Sequence, residues 1–345
     1  MSNSVRERFF TSASRIRNLV APGALILMYH RIAEAPSDPW SLCVTPDHFA
    51  EHLQVFRNYG RSSSLKELTE ALGDGRKTSR RVVLTFDDGY ADNLIYGLPI
   101  LERFDFPATI FVVSGNIGSH EEFWWDVLEH MLLYPGKLPS ALQLRLDEKE
   151  FQWYLGDSAE YDEESFNRDR SWKAESQAVP SERQALYKAL HSLLRSMPTR
   201  ERRKVLSQLR EWSRRAKVFR PENRSLAEDE ILAVERGGLV EIGSHTVNHP
   251  MLALRAPTEQ IEEIQKSKAA LEEIIGKPVK SFSYPFGSYA NETLGAVKQA
   301  GYACACSTIF NSVWRPSDTY QLPRIEIKDW DGEDLQRQLS RWLWD

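Results

Sequence analysis

Cysteine is scarce in this chain. Its 345 residues include three, Cys43, Cys304 and Cys306, an odd number without Cys-x-x-Cys spacing, which argues against a disulfide framework or a thiolate metal site. Cys304 and Cys306 fall two apart in an apolar run and read as same-face core residues of a strand. No run approaches the roughly 18 apolar residues that a membrane span requires. Residues 2–20 also lack the central apolar stretch of an export signal. Arg6, Arg8, Arg15 and Arg17 are interleaved there with Val5, Phe9, Phe10, Ile16, Leu19 and Val20, the pattern of a basic amphipathic helix. Such a helix either packs on the protein, the favoured reading, or makes peripheral contact with an anionic membrane surface. The expected location is cytoplasmic, with placement at the inner membrane face as the alternative. Positive charge is not in excess: the formal net charge is −5, which argues against nucleic acid as the main partner. Finally, no histidine follows His249.

The residues suited to chemistry sit at the ends of apolar runs. Val82-Val83-Leu84-Thr85-Phe86 stops abruptly at Asp87-Asp88-Gly89-Tyr90, as expected of a buried strand whose C-terminal end delivers charge into a cavity. Neighbouring residues at a strand end point in different directions, so one carboxylate can ligate a metal while the other handles a proton. Leu239-Val240-Glu241-Ile242 likewise breaks at Gly243 and leads into His245 and His249. The residue before Pro250 is biased away from helix, which places the two imidazoles on a tight loop. Asp88, His245 and His249 together supply three N/O ligands and leave a position open for water, the composition of a catalytic zinc site.

The same strand-then-helix alternation runs through most of the chain. Ala24 to Tyr29 is a continuous apolar run that ends at His30, a site candidate by position. Pro46 to Tyr59 and Ser64 to Leu72 carry helical spacing, the second with a Ser64/Glu67 capping box. Asn93 to Phe104 reads as a helix and Ala108 to Val113 as a strand. From 118 to 223 the alternation lapses into a mainly helical insertion, whose basic run Arg183 to Lys217 reads as a solvated helix face and which can act as a lid or substrate wall. It resumes with a capping box expected at Ser225/Glu228, a helix to Arg236, a helix from Thr258 closed by Gly276, and strands at Ser281, Tyr302 and Leu322. The count is seven strands in an α/β chain. Residues 1–23 form the basic segment and 24–345 the main domain, interrupted by the insertion.

Three stretches, Thr85-Phe86-Asp87-Asp88-Gly89-Tyr90, Ser244-His245-Thr246-Val247-Asn248-His249-Pro250 and Phe282-Ser283-Tyr284-Pro285-Phe286-Gly287, resemble in order the first three motifs of the polysaccharide deacetylases, the NodB-homology or carbohydrate esterase 4 family. The resemblance spans Leu25 to Ile327 apart from the insertion. It implies a distorted seven-stranded (β/α) barrel and metal-dependent hydrolysis of an N-acetyl group on a carbohydrate substrate. It gives Asp87 the proton transfer, Asp88, His245 and His249 the divalent ion, most simply Zn2+, and the Phe286 backbone N–H the oxyanion. Tyr90 and Tyr284, within the same motifs, fall with Phe286 on the expected substrate side. Two features depart from the family pattern. Ser283 stands where an arginine usually begins the third motif, and the late histidine of the fifth motif is missing. Both resemble the circularly permuted branch acting on bacterial exopolysaccharides, whose acid histidine lies in an early Met-Tyr-His like Met28-Tyr29-His30. Arg324, expected at the end of the last strand, is inferred to replace the missing arginine. Two alternatives use the same residues: an O-acetyl or formyl hydrolase acting on a carbohydrate, and a catalytically silent carbohydrate-binding homologue.

Overall fold

The computed structural model describes residues 23–119, 121–146 and 148–344; the basic segment at 2–20 and His120 lie outside them. Contacts divide the chain into two compact units, Met1–Glu34 with Leu42–Ser119 and Ser225–Asp345, and Ala35–Ser41 with His120–Arg224.

Seven parallel strands organise the first unit: β1 (Leu25–Tyr29), β2 (Arg81–Phe86), β3 (Ala108–Val112), β4 (Val240–Ser244), β5 (Ser281–Ser283), β6 (Cys304–Cys306) and β7 (Ile325–Glu326). Their spatial order is β6-β5-β4-β3-β2-β1-β7, and every neighbouring pair is parallel. A parallel bridge from Cys306 to Leu322 ties the two ends of this path together, through Ser307 N–H to Leu322 O at 2.8 Å and Leu322 N–H to Ala305 O at 2.9 Å. The result is the distorted seven-stranded (β/α) barrel that the family resemblance implies, with the seven strands expected from the alternation.

The two-residue period of each strand divides its side chains between two cores. Leu25, Leu27 and Tyr29 of β1 and Val82, Leu84 and Phe86 of β2 point outward, under helix residues such as Phe49, Leu53 and Ile264. Ile26, Val83, Phe111, Cys304 and Cys306 point the other way and meet across the sheet, so they line the inside. That interior is full. A Cβ on Gly243 would stand 2.4 Å from the Phe111 ring and 2.7 Å from Ser281 Oγ, so β4 can carry only glycine there.

Several elements differ in detail from the sequence expectation. The helix expected from Asn93 opens as a π-helical turn, Asn93–Gly97, and becomes α-helical only at Leu98–Phe104. The helix before β4 is Glu228–Arg236, capped by Ala227, whose N–H donates to Glu230 Oε2 at 2.9 Å. Ser225 instead bridges to Tyr90, so the Ser225/Glu228 box does not form. Arg324 stands ahead of the short β7 and not at its end.

The second unit holds helices Trp124–Leu133, Glu163–Asp169, Glu182–Ser196 and Thr199–Ser213. It also holds an antiparallel hairpin, Ala141–Leu146 with Lys149–Tyr154, that was not expected. Leu142 and Leu144 face inward while Gln143 and Arg145 are exposed, the alternation of a half-buried strand. The detached segment Ala35–Ser41 joins this unit through Pro39 O, which accepts from Ala174 N–H at 2.8 Å, and through Trp40 Nε1–H, which donates to Tyr187 at 2.8 Å. No helix among the described residues is long and apolar enough to cross a membrane.

Candidate active site

Strained backbone marks where the barrel concentrates its polar groups. Asp88, Thr246, His249 and Phe286 all adopt positive φ, at 72°, 66°, 53° and 56°. Non-glycine residues in this region cost on the order of 1–3 kcal/mol each and persist where surrounding contacts over-determine them. The contacts are visible. Asp87 N–H donates to Tyr29 O at 2.9 Å, Val113 N–H to Asp88 O at 3.3 Å, and His249 N–H to Thr246 Oγ1 at 3.0 Å. Glu263, buried on helix Pro257–Ile275, accepts from the Val247 and Asn248 N–H groups at 2.9 and 2.8 Å and from Asn248 Nδ2 at 2.7 Å. One carboxylate therefore shapes the whole loop between the two histidines. Gly287 completes the opposite wall: it has a φ of 62°, and a Cβ there would stand 2.0 Å from Thr308 Oγ1.

These loops bring Asp88, His245 and His249 together, all three buried. Asp88 Oδ1 lies 3.3 Å from His249 Nε2 and 3.7 Å from His245 Nε2, and the two Nε2 atoms are 3.1 Å apart. A tetrahedral ion with bonds of about 2.0–2.1 Å spaces its ligands by about 3.3 Å, so the donor set fits a divalent metal. His245 Nδ1–H donates to Ser283 O at 2.8 Å, which leaves the Nε2 lone pair turned toward Asp88 and His249. Burial holds the His245 pKa down to about 4, against the opposing pull of the Asp87 charge and the Ser283 carbonyl, so the ring is neutral as a ligand must be. The Phe286 ring meets His249 edge-on, with centroids 4.5 Å apart.

Asp87 stands beside this set, its Oδ2 4.0 Å from His245 Nε2. Arg324 grips it from inside the barrel through two bonds of 2.7 Å, Nη1 to Oδ1 and Nη2 to Oδ2. The remaining guanidinium donors go to Thr85 Oγ1 at 3.1 Å, Ser283 Oγ at 2.8 Å and Ser307 O at 3.0 Å. All five N–H groups of Arg324 are thus used, and its orientation is fixed. The Ser283 hydroxyl, in the position where the family pattern has arginine, donates to Asp87 Oδ2 at 3.3 Å. Burial alone would push the Asp87 carboxyl up, but the Arg324 charge and bonds outweigh it and hold the pKa well below the usual carboxylate range.

His30 follows β1 directly. Burial lowers its pKa, opposed by the nearby Asp87 charge, so it feels the same electrostatic field as the Asp87–Arg324 pair. The two tyrosines expected on the substrate side are not brought to it. Tyr284 is fully buried against Phe282 and Tyr289, and its hydroxyl donates to Tyr320 O at 2.9 Å. Tyr90 is also fully buried, beneath the Arg31 guanidinium at 4.6 Å from the ring centre. Both rings are core residues whose backbones, rather than side chains, belong to the motifs. Sequence reasoning missed Glu263, Thr246 and the hydroxyl of Ser283. Glu263 is one of many acidic residues on an amphipathic helix, and nothing local distinguishes it.

A polysaccharide deacetylase profile matches residues 74–135 and 196–305. The chain belongs to the polysaccharide deacetylase family. The unmatched stretch between the two segments falls within the second unit, and His30 and Arg324 stand outside both segments. YxkH of Bacillus subtilis (strain 168), a protein named as a polysaccharide deacetylase, is 21% identical over 304 residues, 88% of this chain and 70% of that protein. Among solved structures, IcaB from Ammonifex degensii superposes with a TM-score of 0.56 at 16% identity, covering 94% of this chain and 97% of its own. The deacetylase PplD of Streptococcus pyogenes, solved with acetate, superposes at 0.51 and 21% identity, covering 92% and 98%. At these identities the superpositions show a shared fold.

Proposed function

We propose that this chain is a metal-dependent hydrolase that removes N-acetyl groups from a sugar or polysaccharide in the synthesis of a bacterial exopolysaccharide or cell-surface glycan. The observation that carries the proposal is the buried Asp88, His245 and His249 donor set with the Arg324-clamped Asp87 beside it. Family membership and the acetate-bound deacetylase among the structural neighbours support the acyl group.

Asp88, His245 and His249 would hold the ion, with Zn2+ the simplest fit to two imidazoles and one carboxylate at tetrahedral spacing. When bound, such an ion polarises the acetyl carbonyl and lowers the pKa of a water to about 7. Asp87 would accept a proton from the attacking water as the water oxygen bonds to the carbonyl carbon, and Arg324 keeps Asp87 charged for the purpose. The Phe286 backbone N–H, on its left-handed turn, donates to the oxyanion. His30 then supplies a proton to the nitrogen as the C–N bond breaks, giving acetate and a free amine. The amine is a poor leaving group unless protonated, which is why a separate acid is required.

The test is acetate release from soluble N-acetylated oligosaccharides by zinc-loaded and chelator-stripped chain. Release should disappear on stripping and return with zinc. A fully zinc-loaded chain that releases no acetate from any N-acetylated sugar would contradict the proposal.

A further inference from the structure

The backbone that follows the His30 ring is tied to two buried residues just beyond the Asp87–Asp88 pair. Asn93 Nδ2 donates to His30 O at 2.9 Å and to Asp92 Oδ1 at 3.0 Å. Asp92 Oδ1 also accepts from Ile32 N–H at 3.1 Å, and its Oδ2 pairs with Arg31 Nε at 2.8 Å. Asp92 is 2% and Asn93 1% exposed. The segment His30 to Ile32 is therefore fixed at one carbonyl, one side chain and one N–H by consecutive residues at the start of the helical segment that follows the Asp87–Asp88 loop. We propose that Asp92 and Asn93 are positioning residues for His30, locking the β1 exit to the loop that carries Asp87 and Asp88. The inference rests on the reading of His30 as the acid.

Three further features favour positioning over simple packing. Both partners of Nδ2 are acceptors, so the orientation of the Asn93 amide is dictated by the network and needs no assumption about a flip. That orientation leaves Asn93 Oδ1 buried without a hydrogen-bond partner among the described residues, an arrangement that an apolar residue would avoid. Asn93 also begins the π-helical turn Asn93–Gly97, an irregularity that aims the side chain back toward β1 and is frequent at functional sites. A leaving-group acid must meet a nitrogen whose place is set by groups on β2 and β4. A rigid tie between the acid's backbone and the β2 loop keeps that distance constant, and a misplacement of about 1 Å can cost on the order of 100-fold in rate.

The test compares wild type, His30→Ala, Asn93→Ser, Asp92→Asn and the His30→Ala/Asn93→Ser double variant. The substrates are a soluble β-linked N-acetylglucosamine tetramer, whose amine must be protonated, and 4-nitrophenyl acetate, whose leaving group needs no acid. Asn93→Ser should lose on the order of tenfold in kcat on the tetramer, keep its zinc, and stay within about twofold on the ester. It should have no further effect in the His30→Ala background. Asp92→Asn, nearly isosteric, should shift in the same direction and serves if Asn93→Ser folds poorly. Equal losses on amide and ester in His30→Ala would overturn the acid reading itself. A His30→Ala variant that separates the two substrates while neither Asn93→Ser nor Asp92→Asn does so would overturn the positioning role alone. A second readout is independent of turnover. In histidine-labelled protein the His30 ring signal, identified by its loss in His30→Ala, should broaden or split in Asn93→Ser, and an unchanged signal would contradict the proposal.

Discussion

Arg324 of the barrel unit and Arg183 of the second unit are both fully buried, and both spend all five N–H groups on the protein. Their partners differ. Arg183 donates to five backbone carbonyls, those of Leu132, Tyr134, Gly136, Ser158 and Ala159, at 2.8 to 3.4 Å, and none of those bonds is to a carboxylate. Arg324 spends two of its five bonds on Asp87. Burial, with Arg215 adding to it, pulls the Arg183 pKa down to about 10. Burial also acts downward on Arg324, but the Asp87 charge reverses the direction and raises it. A guanidinium wrapped in carbonyls stitches chain segments together. One facing a carboxylate fixes the ionisation of its partner, and only the second arrangement can serve acid–base chemistry.

The contrast can be broken most severely at the carboxylate. Asp87→Asn keeps the shape and removes the charge, so kcat should fall on the order of 10² to 10⁴ with metal content unchanged. Loss of metal in that variant would make Asp87 a ligand and reverse the roles of the two aspartates. Arg183→Met should act on folding alone. It leaves five carbonyls without their donor and should cost on the order of 2–4 kcal/mol, read as a lower denaturant midpoint, while zinc content and turnover per folded molecule stay near wild type. A large loss of turnover in folded Arg183→Met would erase the distinction drawn here. The smallest effect is expected at Arg324→Met. Without the Arg324 charge and bonds, the largest opposition to burial is gone, the Asp87 pKa rises, and since the base works ionised, the acid limb of the pH–activity profile moves to higher pH. An acid limb that stays in place would remove Arg324 from the account.

The parts legible in the sequence were those written locally. Seven apolar runs with helices between them identify the strands, and of the polar residues suspected at a run's end His30, Asp87 and His245 follow a barrel strand directly, with Asp88 one position further on. The Arg324–Asp87 pair was reachable only indirectly, from Ser283 standing where the family pattern has arginine, and the shortness of β7 put Arg324 before that strand. What stayed hidden depends on long-range contact. Glu263 and Asn93 act on backbone 15 or more positions away, and neither residue type is unusual where it occurs. Left-handed backbone at Asp88, Thr246 and His249 is equally silent, because tertiary contacts impose it and the modest preference of Asp and His for that region is too weak to signal it. Tyr90 and Tyr284 show the opposite error: membership of a motif suggested contact with substrate, whereas both side chains fill the core. The hairpin pairing Ala141–Leu146 with Lys149–Tyr154 escaped notice because the sequence between its strands lacks the glycine that usually marks a tight turn.

The central claim is that Asp88, His245 and His249 form one metal site. Equilibrium dialysis against zinc addresses it without a substrate. Wild type should bind one ion per chain, and the His245→Ala/His249→Ala variant, folded by circular dichroism, should bind none. Stoichiometric zinc in the double variant would contradict the account.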